Sequence, residues 1–389
     1  MKFPQNLTQK IFDRKEKNAF RTLSNPDNLL DFASNDYLGF SKSEVIFQKT
    51  NDYLLQNHII QNGATGSRLL SGNHKIYQET ETFIAQFHQA ETALIFNSGY
   101  DANIGFFSSV CQKNDLILFD ELSHASIRDG IGMSHAKSLK FRHNDYRDLK
   151  RLILFFQKQR RDQLGKGVFS GQIYIATESV FSMDGDTPNL KELVEIATEF
   201  GCYLIVDEAH ALGVIGANGK GLVQELQLQN EIFARIITFG KGLGCHGAAV
   251  LGSQDLKDFL INFSRSFIYT TGLSPHSVAT ILMAYQHLQS NSDAVSKLNE
   301  NIIHFSQEKN MLSLKPIFIR SKSAIQCAVI PGNDKIKAIA TQIQNKGFDV
   351  KAILSPTVPQ GQERLRFCLH NFNSKKDISE VLNILSELI

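Results

Sequence analysis

Between Thr92 and Leu251 the chain repeats short apolar runs rich in Ile, Val, Leu and Phe, separated by longer stretches whose apolar residues recur at helical spacing. Runs with no polar alternation belong to strands covered on both faces, so the pattern predicts an α/β domain with a mainly parallel sheet. The predicted strands are Ala93–Phe96, Leu116–Phe119, Ile173–Thr177, Tyr203–Val206, Ile236–Phe239 and Ala248–Leu251, with a helix over Asp101–Val110. Upstream, Asp31–Phe40 and Gly63–Asn73 read as arm and loop. After Pro275 the pattern restarts as a smaller α+β unit. Ile325–Ile330 and Arg364–Leu369 read there as strands, and Lys335–Lys346 and Lys376–Leu388 as helices, with a long helix over Ser274–Ser290 at the boundary. The expected division is an N-terminal segment over 1–45, a large domain over 46–280 and a small domain over 281–389.

Length agrees with this division, because single cores stop growing near roughly 250 to 300 residues and this chain has 389. Its 41 basic and 39 acidic residues leave a net charge of +2, so no overall field draws it to nucleic acid or anionic lipid. A small, neutral-to-anionic substrate is expected instead. Cys111, Cys202, Cys245, Cys327 and Cys368 are odd in number and scattered, which argues against a disulfide framework and a structural zinc site. Residues 1–20 contain no apolar leader core, and no apolar run approaches the length of a membrane span. A soluble cytoplasmic protein is the expectation.

In open α/β sheets ligands bind beyond the carboxyl ends of the strands, and here those positions are polar. Asn97-Ser98-Gly99-Tyr100, Asp120 to His124, Glu178 to Asp184, Asp207-Glu208-Ala209-His210 and Gly240-Lys241-Gly242 follow five successive runs. Asp207 directly follows Leu204-Ile205-Val206; alone, an ion-paired or capping aspartate explains it as well as a functional one. Lys241 lies between glycines, which remove bulk near its amine. A desolvated lysine can become a nucleophile toward an aldehyde, and a buried aspartate can keep a pyridinium nitrogen protonated. Gly99-Tyr100 precedes the helix and offers free amides to a phosphate, although on these two residues alone an ordinary strand-to-helix turn is the favoured explanation. His124 is a packed histidine or, beside the other pieces, an aromatic face for a cofactor ring.

Two further patterns carry less. Gly242-Leu243-Gly244-Cys245-His246-Gly247 matches the dinucleotide fingerprint, but a strand-like run follows it where that site needs a helix. Asp207-Glu208-Ala209-His210 has no second His/carboxylate pair at ligand spacing, so no metal is assigned.

Taken together, Ser34-Asn35-Asp36-Tyr37-Leu38-Gly39, Gly66-Ser67-Arg68-Leu69-Leu70-Ser71-Gly72, Ser182-Met183-Asp184-Gly185-Asp186, Asp207-Glu208-Ala209-His210 and Thr238-Phe239-Gly240-Lys241-Gly242 resemble the α-oxoamine synthase family. The resemblance runs from about Asp31 to about His370. It implies a pyridoxal 5'-phosphate enzyme of fold type I, with a mainly parallel seven-stranded sheet in the large domain and a smaller C-terminal α+β domain. It implies that Lys241 carries the cofactor as a Schiff base, Asp207 pairs with the pyridine nitrogen and His124 stacks on the ring. Ser182 and His210 would lie near the 3-hydroxyl, and Gly99, Tyr100 and Thr238 near the phosphate, with Thr270 and Thr271 reaching the partner's phosphate. Arg366 would grip the amino acid carboxylate, with Arg21, Asn35 and Thr357 as further substrate contacts. The implied reaction is decarboxylative condensation of L-alanine with a pimeloyl thioester of coenzyme A or a carrier protein, in a homodimer with its active site at the interface. A sister reaction on glycine or serine is the alternative.

Overall fold

The computed structural model describes residues 3–23, 28–162 and 171–389. The chain divides into two compact units, one of Asp36–Ser182 with Thr187–Val295, the other of Met1–Asn35, Met183–Asp186 and Ser296–Ile389.

The larger unit is built on a seven-stranded sheet: β1 (Thr92–Phe96), β2 (Leu116–Asp120), β3 (Lys137–Phe141), β4 (Ile173–Glu178), β5 (Tyr203–Asp207), β6 (Ala234–Thr238) and β7 (Ala248–Gly252). The order across the sheet is β1-β7-β6-β5-β4-β2-β3. Neighbours are parallel except β7, which runs against both β1 and β6. The apolar runs are continuous because successive residues supply opposite faces. Ile117, Tyr174, Ala176 and Ile205 join one core with Phe106, Phe107 and Ile127. Leu116, Leu118, Ile173, Ile175, Leu204 and Val206 join another with Leu149, Leu190 and Leu193.

Four strands run one residue further than predicted, so Asp120, Glu178, Asp207 and Gly252 are the last residues of β2, β4, β5 and β7 rather than the first of the following loops. β6 begins two residues earlier than predicted and ends one residue sooner. Arg235 interrupts the apolar run there, yet it is buried because its guanidinium bonds the Glu208 carboxylate at 2.6 and 2.9 Å. β3 was not predicted. Lys137-Ser138-Leu139-Lys140-Phe141 has no apolar run, since it is an edge strand with largely solvent-facing side chains.

Two helices position the site. α1 (Gly99–Val110) follows β1, and α2 (Ala125–Met133) follows β2. The predicted boundary helix is α3 (Pro275–Ser290), capped by Ser274, whose hydroxyl accepts the Ser277 amide at 3.1 Å.

In the smaller unit, β8 (Ile325–Val329), β9 (Lys351–Ile353) and β10 (Arg364–Cys368) form an antiparallel sheet in the order β9-β10-β8. α4 (Asn333–Asn345) and α5 (Lys375–Leu388) pack with it through Ile336, Ile339, Ile343, Ile378, Val381 and Leu385. β9 escaped prediction because it is three residues long and only half buried. Leu30–Asp31 pairs in parallel with Phe348–Asp349. Among the described residues, no helix is long and apolar enough to cross a membrane.

Candidate active site

The turn after β2 delivers His124. Asp120 shapes it: Oδ1 accepts the Leu122 amide at 2.9 Å, Oδ2 accepts the Asn144 amide at 3.0 Å, and His143 Nδ1 lies 2.9 Å from Oδ1. Glu178, at the end of β4, accepts the His124 amide on Oε1 at 2.5 Å. His124 itself caps α2, its Nδ1 accepting the Ser126 amide at 3.3 Å. The imidazole is solvent-exposed in this chain. Its pKa is lowered all the same, first by desolvation from the protein packed around it and then by the Lys241 charge, against the pull of Asp207.

At the end of β5, Asp207 is buried and fully engaged. Oδ1 accepts the Ala209 amide and Oδ2 accepts Asn103 Nδ2, each at 2.8 Å. It lies in register with Glu178 on the neighbouring strand. Burial, and then the Asp207 charge, push Glu178 up to about 8. A second ionised carboxyl beside the Asp207 charge, in a buried place, is costly.

Between β6 and the reversed strand β7 the chain turns through 239–247, which carries Lys241. Lys241 Nζ lies 2.7 Å from His210 Nε2, and His210 Nδ1 lies 2.7 Å from the buried Tyr37 hydroxyl. Gly242 is required for a reason other than access to the amine: a Cβ there would collide with the Leu212 carbonyl.

α1 begins at Gly99, two residues earlier than predicted. Ser98 caps it, accepting the Asp101 amide at 3.0 Å, so the Gly99 and Tyr100 amides fall outside the intrahelical ladder. A Cβ on Gly99 would come within 2.5 Å of Thr238 Oγ1. The glycine therefore keeps the helix start against the end of β6. The Tyr100 hydroxyl donates to Asp129 at 2.7 Å, and that bond raises its pKa. Asn97 Nδ2 donates to Thr270 Oγ1 at 3.0 Å and to the Thr271 carbonyl at 2.6 Å, tying both threonines to the end of β1. Ser182 is buried in the segment after β4.

The substrate residues expected outside the sheet meet in pairs within the smaller unit. Arg366 is buried and donates through Nη2 to Asn35 Oδ1 at 2.9 Å. Arg21 Nη2 donates to Thr357 Oγ1 at 3.3 Å, and both line a cavity of about 290 Å³ with Arg14, Phe20 and 352–356.

Four site residues received no role from sequence alone: Tyr37, Asn103, Ser126 and Glu178. Asn103 carried a usable signal, an amide in the buried stripe that includes Ala102, Phe106 and Phe107. Glu178 carried another, ending an apolar run just as Asp207 does.

The family model for aminotransferase class I and II matches residues 27–385. The chain is 40% identical to the 8-amino-7-oxononanoate synthase of Emericella nidulans, over 98% of this chain and 94% of that one. This chain is an α-oxoamine synthase of the aminotransferase class I and II family. A putative 8-amino-7-oxononanoate synthase of Methanococcus vannielii is 34% identical over 99% of both chains. Among solved structures, the 8-amino-7-oxononanoate synthase of Francisella tularensis superposes with a TM-score of 0.75 at 28% identity, over 93% of this chain and 98% of that one. The serine palmitoyltransferase of Sphingomonas wittichii shares the fold with a TM-score of 0.87 at 24% identity, over 100% of this chain and 98% of that one. As a member of this family the synthase is a pyridoxal-phosphate-dependent acyltransferase of fold type I. Its residues fit that cofactor. They supply an amine for the aldehyde, a carboxylate anchored at both oxygens, an exposed imidazole, and a helix start with free amides where a side chain on Gly99 would fill the space beside Thr238.

Proposed function

We propose that the protein condenses L-alanine with a pimeloyl thioester to give 8-amino-7-oxononanoate, a precursor of biotin. The observation that carries this is the placing of Lys241 Nζ 2.7 Å from His210 Nε2, on the loop that leaves the same sheet whose ends carry Asp207 and His124. The named relatives, at 34% to 40% identity over nearly the whole chain, support the choice of substrates.

When bound, pyridoxal phosphate supplies an electron sink for charge that develops at the amino acid's α-carbon. Lys241 would hold it covalently through Nζ. Asp207 would keep the ring nitrogen protonated, since a carboxylate fixed by two donors stays an acceptor. The Gly99 and Tyr100 amides and the Thr238 hydroxyl would take the phosphate, Ser182 and His210 the 3-hydroxyl, and the His124 ring one face of the cofactor. Arg366, steadied by Asn35, would take the alanine carboxylate in bidentate fashion. Arg21 and Thr357 would contact the acyl substrate from their shared cavity.

Once its amine is free, Lys241 removes the α-proton, and its hydrogen bond to His210 keeps Nζ in place. The α-carbon then bonds to the thioester carbonyl carbon as the thiol carrier departs. The original carboxyl leaves as CO2, and a proton takes its position on the same carbon. The protein acts in this reading as a homodimer, with Thr270 and Thr271 serving the partner's phosphate.

Mass spectrometry of products tests the proposal. Purified protein with pyridoxal phosphate and pimeloyl thioester is expected to yield 8-amino-7-oxononanoate only when L-alanine is present. Condensation product from glycine or L-serine instead of alanine would overturn it.

A further inference from the structure

We infer that Asn103 and Ser126 are positioning residues that hold the His124 imidazole as its neutral tautomer, with the ring proton on Nε2. The tautomer follows from hydrogen bonds within the chain; its bearing on catalysis rests on the reading that His124 faces the cofactor.

A continuous chain of hydrogen bonds joins Asp207 to His124. Asn103 Nδ2 is 2.8 Å from Asp207 Oδ2 and 3.0 Å from Ser126 Oγ, and Ser126 Oγ is 2.8 Å from His124 Nδ1. Its polarity is fixed at the Asp207 end, because an ionised carboxylate only accepts and an amide nitrogen only donates. Reversing the Asn103 amide would set two acceptors against each other. Nδ2 therefore spends one hydrogen on Asp207 and the other on Ser126 Oγ. Ser126 is buried, and with Oγ already accepting from Asn103 its own hydroxyl hydrogen is left to point at His124 Nδ1, 2.8 Å away. The Ser126 amide aims at the same nitrogen from 3.3 Å. A proton on Nδ1 would meet that amide hydrogen, which cannot turn away, head-on. Nδ1 is thus an acceptor and the proton resides on Nε2.

The surrounding charges agree. Lys241 and Arg128 oppose a second proton on the ring, while Asp207 and Asp129 favour one, and with desolvation the balance lowers the pKa. His124 accordingly offers an N–H donor to anything lying over the site, and it has no free lone pair with which to take a proton. Proton removal is left to Lys241, and the ring can face a protonated pyridine without charge repulsion.

The test is nitrogen-15 NMR of the full-length protein, labelled at histidine and loaded with pyridoxal phosphate, with His124 assigned from the signal lost in His124→Gln. At neutral pH the expected pattern is a neutral ring protonated at Nε2. Ser126→Ala should shift this signal toward the averaged pattern of a free imidazole and lower kcat/KM about tenfold, roughly the worth of one hydrogen bond. Ser126→Thr, which restores the hydroxyl, should recover both. An Nδ1-protonated or doubly protonated His124 in the parent overturns the inference, and so does an unchanged signal in Ser126→Ala. Because the parent spectrum needs no variant, a poorly folded mutant does not remove the test. An Nε2-protonated ring in a protein that makes no 8-amino-7-oxononanoate would refute the substrate reading and leave the tautomer standing.

Discussion

Glu178 is the site carboxyl whose chemistry differs most from an ordinary one. Its folded-state value of about 8 lies well above the usual 4.5, so the fold favours the protonated form. Stability from that preference is complete below 4.5 and is lost as pH rises toward 8, because the unfolded chain has already released the proton that the folded chain still holds. Glu178→Gln keeps an acceptor for the His124 amide and removes the titration. Melting curves of the cofactor-free protein should show the variant more stable than the parent at pH 8, by a few degrees for each roughly 1 kcal/mol regained, with a smaller difference at pH 5. An equal difference at both would contradict the assignment. At this scale Lys241, Asp207, His124 and His210 were legible because each ends or follows an apolar run. Ser126 was not, because a hydroxyl inside a helix looks the same whether it faces solvent or a buried partner, and Asn103 showed itself only as an amide within the apolar stripe of α1.

The helix start at Gly99 shows what an element contributes. Ser98 and Asp101 cap α1 by their own bonds, so the turn stands without the glycine's conformational freedom. What Gly99 provides is closeness, since a Cβ would reach within 2.5 Å of Thr238 Oγ1. Thr238 can rotate away, so Gly99→Ala should change the melting temperature little. It should weaken pyridoxal phosphate about tenfold through the displaced hydroxyl, as measured by cofactor titration followed in absorbance. Unaltered affinity would remove Thr238 from the phosphate site. The five runs covered on both faces were readable to within a residue or so, while the edge strand Lys137–Phe141 and the start of β6 were hidden by solvent-facing lysines and by the buried Arg235–Glu208 pair.

At the scale of the whole chain, the composition is bland: a net charge of +2 and five scattered cysteines say little about chemistry. The information lies in order and spacing, which bring residues as distant as Arg21 and Thr357, or Asn35 and Arg366, together in the smaller unit. No local pattern predicts such pairs; the family resemblance named the four residues as substrate contacts without pairing them, and the fold supplies the pairing. The account as a whole stands on Lys241 as the residue that carries the cofactor. Borohydride reduction of the pyridoxal-phosphate-loaded protein, followed by proteolysis and mass spectrometry, reads this directly. The expected result is a pyridoxyl group on the peptide containing Lys241 and on no other, with Lys241→Ala unlabelled and inactive. A label on a different lysine, or full turnover by Lys241→Ala, would contradict it.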